Sequence, residues 1–479
     1  MMHPHELEFS EAQMRESIVM AMDKISELVN TIDEQDTDRS ADADMTLIRA
    51  AMQPLPESGV PLAELLDWLF GDACTKSLNT TSPGFMAYVP GGGIFHAALA
   101  DLIGNSINRY VGVVATAPAL SQIEVAVINW FASIIGYELH PSGGFLTSGG
   151  SSATLAALTT ARTVKLGSSF SDAVIYTSDQ SHFCISKAAF LAGFPRENLR
   201  VLPADENFRL QPDTIREEME KDRASGLRPF LIGVNAGSTN TGAVDPLPEL
   251  ADLAEAEDLW LHVDGAYGGL FCMTERGKHA MRGIERADSV VLDPHKTLFL
   301  PYGTGALIVK DGVNLRQTYS ATAAYMPEMQ HTDEAIDMCE VTPELTRPFR
   351  GLRVWLPLKM HGAGVFREYL DEKIDLAQWV CEQIEEIPDL DVVAKPVISI
   401  LAFAVREEGR TRDEANKLTR DLINKINTRQ RVSLTGTTIH GRFLIRIAVG
   451  GFRTHMDRME MLVDDLKACL AEVLSAPVA

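Results

Sequence analysis

A chain of 479 residues has room for two or three domains and a large core, and a hydrophobic content of 46% with a charged content of 23% is ordinary for a globular protein. A formal net charge of −23 argues against nucleic acid or an anionic membrane as the main partner, because like charges repel. The cysteines, scattered from Cys74 to Cys469 without a CxxC pair, suggest neither a zinc site nor a disulfide framework and fit reduced thiols in a cytoplasm.

Met1 to Glu6 hold no basic segment followed by an apolar one, so no signal peptide is expected, and no uninterrupted apolar run reaches bilayer length. Residues 11–29 have helical spacing, with Met14, Ile18, Met22, Ile25 and Val29 on one stripe. A polar run over 33–44 reads as a loop or linker, and 45–52 and 61–70 as further helices, the second opening on Pro61. Such stripes cannot bury themselves; they must cover the chain's own body or a second subunit. From Ile94 to about Arg353, helical runs at 121–135, 152–165, 212–220 and 248–257 alternate with apolar strands at 173–176, 229–234, 259–263, 289–292 and 305–309. Strands without clean polar alternation are buried on both faces, so the pattern predicts a three-layer α/β domain around a mostly parallel sheet. Ligands in such sheets sit at the carboxyl ends of strands. A smaller α/β region follows, with helices at 365–387, 412–430 and 456–474 and strands at 397–405 and 442–449. The chain thus divides into an N-terminal helical segment (1–94), a large domain (95–353) and a small C-terminal domain (354–479).

Three stretches carry chemistry. From Phe145 to Leu158 a small-residue loop runs into a helix, with Ser151 or Ser152 as N-cap. Glycines there let backbone N–H groups approach an anion, which the helix N-terminus favours; an ordinary capped helix has the same appearance. From Leu259 to Gly269 an apolar strand ends in Asp264, with Ala266 on the same face. That acid suits a protonated ring nitrogen beside a slot for a flat ring, although turn-capping is its commoner use. From Val290 to Leu300 an apolar run surrounds Lys296. A desolvated lysine loses some preference for its charged form, and a neutral amine condenses with aldehydes; alone, a strand-end lysine more often snorkels to water. Pyridoxal phosphate needs this combination of lysine, acid and flat slot. No GxxxxGK[ST] or HExxH motif is present, and no metal is expected.

In this order, these stretches resemble the group II pyridoxal-phosphate-dependent decarboxylases of fold type I, the family of aromatic-amino-acid, glutamate and histidine decarboxylases. The resemblance runs from about Ser82 to about Arg367, on motifs at 147–158, 178–182 (Ser-Asp-Gln-Ser-His), 237–239 (Gly-Ser-Thr), 262–267 and 293–296. It implies that Gly150 and Ser151 hold the cofactor phosphate and that His295 lies near it. It places His182 stacked on the ring, Ala266 beneath it and Thr239 near the phenolic oxygen. Lys296 and Asp264 keep the roles already read, and Asp245 is a supporting or capping residue. It also implies a homodimer in which the N-terminal segment packs on the neighbour. Three positions depart from the family pattern. Gly91 stands where aromatic-acting members often carry threonine. Asp293 stands where many relatives have asparagine, and an aspartate cannot donate to phosphate unless protonated, so it is left outside the candidate set. Relatives close a loop over the substrate, corresponding to 319–345, and carry in it a tyrosine proposed as proton donor; here that position falls near Met338, and Tyr325 is the tyrosine inside the loop.

The expected function is decarboxylation of an L-amino acid, with an aromatic side chain the first candidate, to the amine and carbon dioxide. Two rivals stand beside it: a pyridoxal-phosphate enzyme of different outcome (aldehyde-forming, aminotransferase or carbon–carbon lyase), and a catalytically silent cofactor-binding homologue.

Overall fold

The computed structural model describes residues 7–321 and 335–475. It has two compact units. The larger comprises Met86–Arg420 with Thr435–Phe452; the other comprises the chain up to Phe85, Asp421–Leu434 and the chain from Arg453 onward.

The larger unit is built on a seven-stranded sheet. Its strands are β1 (Gly143–Thr147), β2 (Ala173–Ser178), β3 (Leu199–Leu202), β4 (Arg228–Asn235), β5 (Trp260–Asp264), β6 (Ser289–Leu292) and β7 (Gly305–Val309), in the spatial order β1-β7-β6-β5-β4-β2-β3. Only β7 runs against the others, pairing antiparallel with both β1 and β6. Residues of β2, β5, β6 and β7 are buried throughout, because helices cover both faces. One face packs Val174, Ile232, Leu261 and Val290 into a cluster with Val127 and Phe131; the other packs Ile175, Leu231, Val291 and Leu307 with Ala157 and Leu158. A second, antiparallel sheet in the same unit joins β8 (Leu390–Ala394), β9 (Ile400–Val405), β10 (Thr435–Ile439) and β11 (Arg442–Ala448) in the order β10-β11-β9-β8. The architecture is the α/β fold expected from the alternating pattern, a mixed and mostly parallel sheet with a smaller sheet beside it. Strands β1, β3, β8 and β10 were not among the predicted ones; they are short and only partly buried or carry glycine, so their apolar signal is weak.

The helix Pro118–Ile135 is long and apolar enough, by length and composition, to cross a membrane, although Ser121, Gln122, Glu124 and Asn129 interrupt its apolar run. It is instead a core helix. Val127, Phe131 and Ala132 are fully buried, and it carries Glu124, whose carboxylate takes two hydrogen bonds from the buried Arg347 at 2.7 and 2.9 Å. The helix Arg350–Glu385 begins earlier than predicted and is broken at Gly362, whose φ of 77° lies outside the helical region.

In the smaller unit, the helix Glu11–Asn30 opens with a capping box between Ser10 and Gln13, which satisfies two backbone donors at once. None of its residues is buried, and Met14, Ile18 and Val19 are about half exposed.

Candidate active site

The carboxyl ends of the parallel strands converge on a cavity of about 300 Å³. It is lined by Gly150, Ser151, His182, Thr239, Asp264, Ala266, His295 and Lys296, so every residue singled out from the sequence as catalytic or cofactor-binding borders one space. Asp245 does not line it. It lies behind Asn235, accepting that residue's backbone N–H at 2.7 Å and side-chain amide at 3.0 Å, and the Leu210 N–H at 2.8 Å. Burial pushes its carboxyl up to about 6 despite those donors.

β5 delivers Asp264 as its last residue, and the parallel register puts Asn235 of β4 and Val291 of β6 opposite it. Asp264 Oδ1 accepts the Ala266 N–H at 3.1 Å, which fixes the strand-to-turn geometry, and Oδ2 faces Cys184 Sγ at 3.6 Å. Burial and the neighbouring Asp264 push the Cys184 thiol up, so it stands as a neutral thiol. His182 accepts the Cys184 N–H at Nδ1, which leaves the ring proton on Nε2. Burial lowers His182 against the opposing pull of Asp264, with Lys296 lowering it further, and the imidazole is held neutral. Thr239 is fixed through its carbonyl, which accepts from Arg446; the same guanidinium donates to Asn240 O at 2.9 Å and Tyr88 O at 3.1 Å.

The turn between β6 and the sheet's antiparallel strand carries Lys296 in a single helical turn, Pro294–Thr297. Lys296 does not show the expected weakening of its preference for the charged form. Burial acts in that direction, but Asp293 Oδ2 lies 3.0 Å from Nζ, and Asp293 and Asp264 together outweigh burial and raise the lysine. The sequence reading saw the apolar flanks and left Asp293 out; the fold folds that carboxylate back onto the amine three residues on. His295 Nδ1 meets Thr304 O at 2.6 Å, and its Nε2 is 3.8 Å from Asp293 Oδ2.

Across the cavity the helix Gly150–Lys165 begins at the end of β1, after Gly149 with φ 151°. A Cβ on Gly150 would sit 3.0 Å from Asp293 Oδ2 and 3.3 Å from the Ala266 methyl, so a side chain there would crowd the turn. Gly91 is tighter: a Cβ would lie 2.0 Å from His295 O, so threonine has no room at that position in this backbone. Of the remaining lining residues, Gly237 and Tyr267 lie inside the quoted motifs without an assigned role, Asp293 is the residue left outside the candidate set, and Asn235 and Cys184 carry no site role in the sequence reading. Asn235 left a signal of its own, a polar residue closing an apolar strand.

At the position of the family's loop tyrosine, Met338 is buried at the start of the short helix Met338–Val341 and packs with Phe145, and a thioether has no proton to give; Tyr325, the loop's own tyrosine, lies outside the described residues. Among the described residues, His182, Cys184 and Asp264 are the set whose donor atoms approach within metal-binding range, inside this same cavity.

An amine, a carboxylate, a neutral imidazole and a glycine-lined helix start around one cavity fit pyridoxal phosphate; the Asp293 carboxylate is the one group that a phosphate would not select.

Residues 63–406 match the family described as the pyridoxal-dependent decarboxylase conserved domain. The chain is 34% identical to the aromatic-L-amino-acid decarboxylase of Bacillus atrophaeus, over 98% of this chain and 97% of that protein. It is 28% identical to a phenylacetaldehyde synthase of Arabidopsis thaliana, over 83% and 84% of the two chains. In fold it is similar to Oryza sativa TDC, solved with PLP and tryptamine, with a TM-score of 0.92 at 24% identity, covering 99% of this chain and 100% of that one. The chain therefore belongs to the pyridoxal-dependent decarboxylase family, and is a pyridoxal 5′-phosphate-dependent carboxy-lyase of an amino acid.

Proposed function

We propose that the substrate is an aromatic L-amino acid, which the protein converts to its amine and carbon dioxide as a homodimer in the cytoplasm. The observation that carries the substrate class is the similarity to an aromatic-L-amino-acid decarboxylase along nearly the whole of both chains. The uncovered apolar stripe of the first helix supports the dimer, and the unpaired cysteines, several of them buried, support a reducing compartment.

The bound cofactor supplies an aldehyde that captures amines and a pyridinium that draws off the electron pair left by departing carbon dioxide. In this reading Lys296 is the amine that holds the aldehyde between turnovers. Asp264 keeps the ring nitrogen protonated, and its own position is held by the Ala266 N–H. His182 covers one ring face as a neutral imidazole, which leaves Nε2–H free to meet a carboxylate. Ala266 provides the opposite face, and Gly150 and Ser151 present backbone N–H groups to the phosphate.

Assaying carbon dioxide release across the common amino acids and diaminobutyrate tests the substrate class; tryptophan, tyrosine or phenylalanine should lead. Lys296→Ala should abolish both turnover and the visible absorbance of bound cofactor, and retained turnover would refute the assignment. A second reading, aldehyde formation, is favoured by Met338 standing near the family's tyrosine position and by the similarity to a phenylacetaldehyde synthase. Product analysis separates them: amine without oxygen uptake supports decarboxylation alone, whereas aldehyde with ammonia and peroxide supports the second reading.

A further inference from the structure

Asp293 has a charge opposite to that expected beside an anion cradle. Its side chain is 4% exposed, Oδ2 pairs with Lys296 Nζ at 3.0 Å, and Oδ1 is buried with no hydrogen-bond donor among the described residues. It also underlies the helix start, since Cβ atoms built on Gly150 and Gly305 would lie 3.0 and 2.8 Å from its two oxygens. A buried carboxylate with one unsatisfied oxygen is costly unless a counter-charge compensates it, and Lys296 is the cation in contact. The other titratable groups facing Lys296 are Asp264 at the end of β5, His182 and Cys184 across the cavity, His295 in its own turn, and Tyr267 and Lys373, which border a small void behind it.

We propose that Asp293 gates cofactor capture: it holds Lys296 as an ammonium in the cofactor-free protein, so the aldehyde is taken up only when that ion pair gives up a proton. Condensation forms a carbon–nitrogen bond and expels water, and it needs the lone pair on Nζ. An ammonium has none, so its proton must first pass to solvent or to the Asp293 carboxylate. Burial acts toward the neutral amine; Asp293, the carboxylate in contact, is the larger of the two acidic neighbours that oppose it, Asp264 being the other. With asparagine at this position the amine keeps one acidic neighbour, Asp264, instead of two, and the cradle loses a charge that repels phosphate.

The inference rests on Lys296 being the lysine that takes the aldehyde, and the test separates the two. Full-length cofactor-free protein and Asp293→Asn are treated with a small neutral acylating ester from pH 6 to 10, and acylation of Lys296 is read by peptide mass spectrometry against exposed lysines. The expected result is roughly tenfold faster acylation at pH 7.5 in D293N, with half-maximal reactivity at lower pH. Superimposable profiles would overturn the proposal. Pyridoxal 5′-phosphate capture, followed by absorbance, should likewise be faster in D293N near neutral pH; an equal or slower rate counts against it. If Lys296→Ala captured cofactor with an unchanged spectrum, the lysine assignment would fail while the acylation result still judged the ion pair. Asp293→Ser replaces D293N if the latter melts early, with the same expected direction.

Discussion

Asp264 is held on both oxygens, by the Ala266 N–H and by contact with a neutral thiol, so its charge is fixed in place before any ring arrives. Asp264→Asn keeps the shape and removes the charge that a pyridinium needs. Turnover should fall about a hundredfold or more while the thermal midpoint barely moves, as kinetics and a melt on the same preparation would show. Two buried groups near the site set opposing pH slopes on stability. Asp245, raised to about 6 by burial, binds its proton more tightly folded than unfolded, so its contribution is full below about pH 4 and is lost as pH rises through 6. His262 is pushed down to about 4 by burial, with Nδ1 held by Ser289 at 2.8 Å and no partner on Nε2 among the described residues. Its contribution runs the other way, lost as pH falls from 6.5 toward 4. Urea midpoints at pH 4.5 and 6.5 should therefore diverge: relative to the parent, Asp245→Asn gains stability with rising pH and His262→Asn loses it.

Strand ends do the positioning. β2, β4, β5 and β6 deliver His182, Thr239, Asp264 and Lys296 to one edge because parallel strands end on the same side. β7 enters that edge with its amino end, which is why Thr304 O meets His295. β1 is locked there by Glu124 and Arg347: Glu124 accepts the Leu146 N–H at 2.8 Å, and Arg347 donates to Leu146 O at 3.2 Å. Removing one partner strands the other as a buried charge. Arg347→Met should cost roughly 3–5 kcal/mol by urea unfolding, and adding Glu124→Gln should recover part of that loss.

At the scale of the whole molecule, the first helix leaves Met14, Ile18 and Met22 facing outward at 48, 49 and 37% exposure. An apolar stripe of that kind needs a cover, and a second copy is the proposed one. The parent protein should sediment as a dimer, and the combined change of Met14, Ile18 and Met22 to Asp should sediment as a monomer with activity sharply reduced.

The sequence by itself determined the alternation of helices and buried strands, because periodicity and apolar runs are local, and it named the amine, the acid and the anion cradle, because each lies in a distinctive short stretch. Residues known only from such stretches, His182 and Lys296 among them, turned out to share one cavity. Tertiary structure alone decided what those groups are worth to each other. The apolar flanks of Lys296 pointed to a weakened preference for the charged form, yet the turn carries Asp293 back to 3.0 Å from it and, with Asp264, shifts the lysine the other way. Likewise, only the packed chain shows that Gly91 lies against His295 O, or that Asn235 stands opposite Asp264. Charge and clearance depend on distances through space, and distances through space are fixed by strand register and packing rather than by spacing along the chain.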